Sequence, residues 1–424
     1  MWTRLRTALL LAVTAVLVAG VAPAHAAAPA LTTWVSDLRS GEAAGVRTRA
    51  DAVVLDQRTA RRTPPGALRG MAGPTRLTEG AADPDPAALA STGFLTLAPH
   101  ALVRPTDRVD SLVAADLPPG SAVTVDVRGR TAGGNWTEWV PSTATATTYR
   151  NTAATAQLPE PASEVQSRLV LTGTPDARPL VRDLRQTAHP TSETTARRVP
   201  RTALSYRVFA TREGLVGGTT ANGHVITERD HFVALPSRRA LSPRGTSDYS
   251  VKVCAANGRC AFAPVWDVGP WNTRDDYWNP PDVRQNWADL PQGLPEAQAA
   301  YRNGYNGGKD QFGRTVVNPA GIDLADGLFW DALGLRDNAW VTVDYLWTGP
   351  ARTSAVTATQ NVPVRAAPSP DAEIVGTAVP NAGVPVHCIL GTGSKAWLRI
   401  GIAQFVPASA VPGAGAARAC PAAR

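Results

Sequence analysis

Asp267 stands where a carboxyl group could donate a proton. It lies in the run Val265-Trp266-Asp267-Val268, and apolar neighbours that desolvate a carboxyl raise its pKa and fit it for acid chemistry. The same residue opens Asp267-Val268-Gly269-Pro270, and an Asp before such a turn can equally serve the backbone by accepting amide N–H bonds. Just downstream, residues 271–320 carry Trp271, Tyr277, Trp278, Trp287, Tyr301, Tyr305 and Phe312 among Asn272, Asn279, Asn286, Asn303 and Asn306. Flat aromatic faces stack on sugar rings, and amides reach hydroxyls. Trp266, Trp271, Tyr277, Trp278 and Trp287 are therefore the candidate glycan-binding set. A self-packed cover with its own aromatic core is the other reading of this segment. His224 and His231 have no partner at metal-ligand spacing, so neither a metal nor another cofactor is expected. The chain has no GxSxG, Walker, HExxH or dinucleotide fingerprint.

The elements that must hold these residues read as mainly β. In Ala122-Val-Thr-Val-Asp-Val127 the valines at 123, 125 and 127 share one face. Similar short strands with turns run through 27–188 and predict a β-sandwich accessory domain, in which Trp136 and Trp139 are either core plugs or sugar platforms. Residues 189–202 are rich in hydroxyls and prolines and read as a linker. Residues 203–349 alternate strands with a Gly/Thr loop at 214–223 and a short helix over 324–335, with Asp326 as N-cap and Gly334 as C-cap. The 271–320 insert is long for a barrel connection. Residues 350–424 are short strands and turns.

Residues 1–26 read as a signal peptide. Arg4 and Arg6 precede an apolar run from Ala8 to Ala19, and Ala24-His25-Ala26 offers a cleavage site. That run is too short to span a bilayer. A secreted, extracellular or wall-associated monomer with no membrane span is expected. Its four cysteines then predict two disulfides, Cys254–Cys260 across an Asn257-Gly258 hairpin and Cys388–Cys420 pinning the tail. The net charge is +7, with only three lysines, Lys252, Lys309 and Lys395. The excess is scattered, and no nucleic-acid motif accompanies it, so no nucleic-acid partner is expected.

Five pieces of 203–349, in order, resemble the double-psi β-barrel of rare lipoprotein A and the expansins. They are Gly218-Thr-Thr-Ala-Asn-Gly223, Phe232-Val-Ala-Leu-Pro236, Val251-Lys-Val with Asn257-Gly258-Arg259, Val265 to Pro270, and Gly321-Ile-Asp323-Leu before a helix ending Leu333-Gly334. Residues 350–424 resemble bacterial SH3-like domains, which commonly bind peptidoglycan peptides, through Val362-Pro-Val-Arg365, Pro368-Ser-Pro370, Val375-Gly376 and Trp397-Leu-Arg-Ile400. The first resemblance implies Asp267 as catalytic acid and Asp323 as its partner, with cell-wall glycan or peptidoglycan as ligand. In lytic members one carboxyl protonates the glycosidic oxygen and then takes a sugar hydroxyl proton. In expansins the acidic pair loosens glycan without hydrolysis. Departures from the lytic pattern are His224 in place of a Glu, Phe232 in place of a His, and Val268 in place of an Arg. His224 is a possible accessory group. Glu213 is either a second carboxyl beside Asp323, as in endoglucanases sharing this barrel, or a solvated turn residue. Two functions follow: a wall module that binds glycan, with or without lytic or loosening activity, or a non-enzymatic interaction protein, an inhibitor or scaffold, on a degenerate barrel.

Overall fold

In the computed structural model, which describes residues 31–49, 51–62, 90–148, 150–191, 202–415 and 417–421, the alternating apolar positions of the N-terminal third become long paired strands. The leader at 1–26 and most of the linker at 189–202 lie outside the described residues. The organising strand is Asn151–Gly173. Its first part pairs with His100–Asp116, and its last part pairs with Ser91–Thr96 on one edge and Ala122–Gly129 on the other. Val53, Leu95, Val109, Val113, Val125, Val127, Leu169 and Leu184 fill the core. In Ala122–Gly129 the alternate positions Asp126 and Arg128 are buried as well, so a second body covers the other face.

That body is a six-stranded barrel. Its strands are β1 (Leu204–Arg212), β2 (Val233–Leu235), β3 (Ser250–Ala255), β4 (Cys260–Val268), β5 (Ala320–Leu324) and β6 (Ala339–Tyr345). The ring runs β2-β5-β1-β6-β3-β4 and closes because β2 also pairs with β4. The pairs β1–β5 and β2–β4 are parallel and the other four antiparallel. Cys254 and Cys260 face each other at the end of the β3–β4 ladder, where Gly258 turns the chain at φ 84°, and both predicted disulfides are formed. The expected helix over 324–335 is shorter. Leu324 stays in β5, and the turn runs Gly327–Ala332, widened so that the Leu333 N–H reaches the Leu328 carbonyl. Asp326 sits at the cap position but gives its carboxylate to Arg212 at 3.2 Å, and Gly334, at φ 63°, follows the last turn.

The C-terminal strands Val362–Arg365, Ile374–Ala378, Cys388–Leu390, Trp397–Gly401 and Gln404–Pro407 form a curled sheet. Ile374–Ala378 pairs in parallel with the start of β4. Val364, Leu398 and Val406 share one core with Val251 and Val343 of the barrel. Among the described residues no helix is long and apolar enough to cross a membrane.

Candidate functional site

Barrel closure brings the sequence-selected carboxylates into one register row. Ala234 of β2 pairs with Asp323 of β5 on one side and Asp267 of β4 on the other, and Thr211 of β1 pairs with Asp323. Two strand spacings put the two Asp backbones roughly 10 Å apart. Asp323 accepts the Thr211 hydroxyl, and Glu213, two residues on, donates its backbone N–H to the Leu324 carbonyl at 2.8 Å. Asp267, Asp323 and Glu213 are all fully buried. Glu213 is therefore not a solvated turn residue: the end of β1 runs alongside β5 and carries it inside.

Asp267 is held by three groups converging on one carboxylate oxygen. Its Oδ1 accepts the N–H groups of Ala221 and Val268, each at 2.8 Å, and it ion-pairs with Arg61, a nearly buried residue of the sandwich. The Gly218–Gly223 loop supplies the Ala221 amide. The partners of Asp267 here are therefore a guanidinium and two amides, where the neighbouring Trp266 and Val268 had suggested apolar surroundings.

The sandwich covers this end of the barrel. Ala44, Phe94 and Val170 pack with Ala221, Leu241 and Val268. A side chain on Gly223 would begin 3.0 Å from the Ala44 methyl, and Gly223 itself sits at φ 88°. Deeper in the seam, Asp126 accepts two bonds from Arg168 at 3.0 and 2.8 Å and pairs with Arg238 at 3.1 Å. Burial alone would raise the Asp126 pKa, but Arg238 and Arg168 hold it below the usual carboxylate value. Arg168 also lies 4.4 Å over the Trp139 ring. Residues 137–139 form a loop that leaves the sandwich to dock on the barrel. Trp139 is fully buried and donates to the Leu241 carbonyl at 3.1 Å. Glu138 accepts the indole N–H groups of Trp278 and Trp347 at 2.6 and 2.9 Å.

His224 stands apart from the carboxylate row: its Nε2 lies 2.7 Å from Asp230. Asp230 is desolvated, yet bonds from His224 and Thr227 hold its pKa down. The half-buried ring of His231 contacts Asn361 at 3.2 Å, and burial pushes its pKa down.

The aromatic set divides. Trp266 is nearly buried, stacked on Phe232 and tilted against His224. Trp271 packs with Ala297, Ala300 and Val316. Tyr277 and Trp278 are fully buried against Tyr345. None of these four offers a ring face to a ligand: Trp266 is held in β4, and Trp271, Tyr277 and Trp278 are packed inward, whereas Tyr301 and Phe312 of the insert stay exposed. Trp287 is partly exposed. It lines an open depression of ≈ 530 Å³ with Asn286, Asn306, Lys309 and Gln311.

A family model described as a domain of unknown function (DUF8814) matches residues 204–344. The match starts on the first residue of β1 and ends within β6, so it spans the barrel with its insert. No curated protein matches the chain. Arg61, Glu138 and Thr211 escaped the sequence reading. Thr211 could have been found by asking what pairs with Asp323. Arg61 lies in a different domain, and its sequence neighbourhood carries no signal.

Proposed function

We propose that this is a secreted, wall-associated protein that binds peptidoglycan or a related glycan, with the insert as its binding face. The observation that carries the reading is the Trp287 depression. The partly exposed Trp287 stands there beside the Asn286 amide and an exposed ammonium group, while the Asn306 and Gln311 amides that complete the lining are bonded within the insert; stacking on the indole with hydroxyl bonds to Asn286 and Lys309 is a combination that can hold a sugar ring. Its volume lies in the range of small-ligand sites. Two disulfides suit an oxidising exterior. Lytic or expansin-like chemistry at Asp267 and Asp323 would require the sandwich to move and Arg61 to leave. The second reading, a non-enzymatic scaffold on a degenerate barrel, is favoured by that same Arg61–Asp267 pair, which occupies the cleft from within.

The test is a pull-down with insoluble peptidoglycan and with cellulose, followed by analysis of soluble products. Wild type is expected to pellet with peptidoglycan and to release no fragments. Trp287→Ala should weaken binding by about 1–3 kcal/mol, the scale of losing a large apolar contact. Wild type remaining in the supernatant with both polymers would leave the scaffold reading in place.

A further inference from the structure

The insert closes around a fully buried carboxyl, Glu296. We propose that Glu296, in its protonated form, is the clasp that holds a small hairpin at 308–316 in place, and that loss of its proton releases the hairpin and opens the Trp287 depression. The motion needs no ligand; only its use as a control of wall retention rests on the glycan reading.

The fixed half of the clasp is seated on the barrel. Glu296 opens a helix, α1 (Glu296–Asn303), which packs through Ala297 and Ala300 on Ala320 of β5. Pro295, just before it, lies so close to β5 that a side chain on Gly321 would begin 2.7 Å from its ring. The moving half is the hairpin. The Val316 N–H donates to the Gly308 carbonyl at 2.9 Å, and the Asp310 N–H to the Arg314 carbonyl at 3.0 Å. Val316 packs with Ala297 and Ala300 and anchors the hairpin's base. The chain enters through Gly307 and Gly308, at φ 68° and 71°, left-handed positions that glycine adopts without strain. Asn272 joins the two halves. Its Nδ2 donates to Glu296 Oε2 at 2.7 Å, and its Oδ1 accepts the Gln311 N–H at 3.0 Å. The Gln311 side chain then bonds Thr273 and Arg274. Lys309, Asp310, Gln311 and Gly313 of the hairpin line the depression beside Trp287. A change at Glu296 therefore reaches that wall through two hydrogen bonds.

Charge balance makes the proton decisive. Asp275 and Arg284 face Glu296 from the first part of the insert, and Asp310, with its partner Arg314, faces it from the hairpin. Tyr305, on the chain between them, gives its hydroxyl to Asp289. Asp275 pairs with Arg284 and Asp310 with Arg314, two carboxylates to two guanidiniums. Glu296 is the third carboxyl, and among the described residues it makes no ion pair. Its Oε1 is buried without a hydrogen-bond partner among them. Burial, with Asp275 and Asp310 adding to it, pushes its pKa up to about 7. Protonated, Glu296 adds no charge to a balanced set. Ionised, it is a buried negative charge without a counterion, and water must reach Oε1 or the hairpin must part from it. The raised pKa means that the closed form is favoured below about 7 and loses that advantage above it.

The test is hydrogen exchange of the full chain at pH 6 and pH 8, read by mass spectrometry and corrected for the intrinsic pH dependence of amide exchange. Peptides covering 305–316 are expected to lose protection about tenfold between the two, with the midpoint near 7, while those covering the β3–β4 hairpin hold theirs. Glu296→Gln keeps an acceptor for Asn272 and cannot ionise, so protection should stay high at both pH values. Gln311→Ala cuts the link on the far side of Asn272 and should leave the segment exchanging fast at both. A wild type without pH dependence, a Glu296→Gln variant that keeps it, or a loss of protection that spreads equally to β3 and β4 overturns the proposal. Pull-downs at both pH values tell this failure from that of the glycan reading: a wild type whose hairpin opens with pH yet never pellets with peptidoglycan supports the clasp and removes only the glycan binding.

Discussion

Two regions packed on the same barrel bury carboxylates under opposite rules. In the sandwich seam, Asp126 is enclosed by Arg168 and Arg238, and its pKa falls in spite of burial. In the insert, Glu296 is equally enclosed, but its nearest bond is from the neutral Asn272 amide at 2.7 Å. Burial, helped by Asp275 and Asp310, pushes its pKa up to about 7. The difference lies in the balance of partners: two guanidiniums outweigh the desolvation of Asp126, the Asn272 amide does not outweigh that of Glu296, and even Arg284 leaves the neighbouring Asp275 pushed up to about 6. The seam is therefore built to keep its charge and the insert to shed it. The seam gains nothing further above the ordinary Asp range near 3.8 and weakens below it, because the depressed pKa must be titrated there. The insert behaves inversely: the raised pKa means that its stabilisation is complete below about 4.5 and lost as pH rises through 7.

The contrast can be broken at three points. Asp126→Ala leaves two guanidiniums buried without their counterion, and about 3–5 kcal/mol should be lost at neutral pH. Denaturant unfolding would read this, and a loss under 1 kcal/mol would mean that the seam does not depend on its charges. Glu296→Gln keeps the Asn272 bond without the charge. It should stabilise the protein by about 2 kcal/mol above pH 7 and change little near pH 4.5; a pH-independent effect in the same assay would show that Glu296 is not neutral in the fold. The smallest effect concerns Asp267, which shares features of both regions. Arg61→Gln removes its cation but leaves its two amide bonds, so roughly 1–2 kcal/mol should be lost. Fragments released from peptidoglycan by Arg61→Gln, and not by Arg61→Gln combined with Asp267→Asn, would make the closed barrel a latent enzyme. No release from either supports the binding reading.

What the sequence revealed and what it hid follow from the range of the forces concerned. The β3–β4 hairpin was legible because Asn257-Gly258 and the two cysteines are local signals. The valine face of Ala122–Gly129 was legible because alternation is local too. The opposite face was not: Asp126 and Arg128 look like solvent-facing charges until the barrel is laid over them. Trp278 and Trp287 are the same residue type in one insert, yet one stacks inside on Tyr345 and the other opens outward. Nothing within nine residues of sequence distinguishes them. The row of Thr211, Asp323 and Asp267 has no local signal, because strand pairing across the barrel makes it, and Arg61 has none either, since the pairing that places it joins distant parts of the chain.

Closing the ring through parallel pairs also sets an order of events. Thr211 and Asp323 are separated by 112 positions, whereas the β3–β4 hairpin joins cysteines 6 apart. Contacts between remote segments carry the larger loop-closure entropy and form late. The hairpin can be in place while β5 has still to find β1, and the row through Ala234 exists only when both parallel pairs have formed. The buried carboxylates are thus among the last features of the nascent chain to assemble, and the barrel passes from open to sealed in that final step.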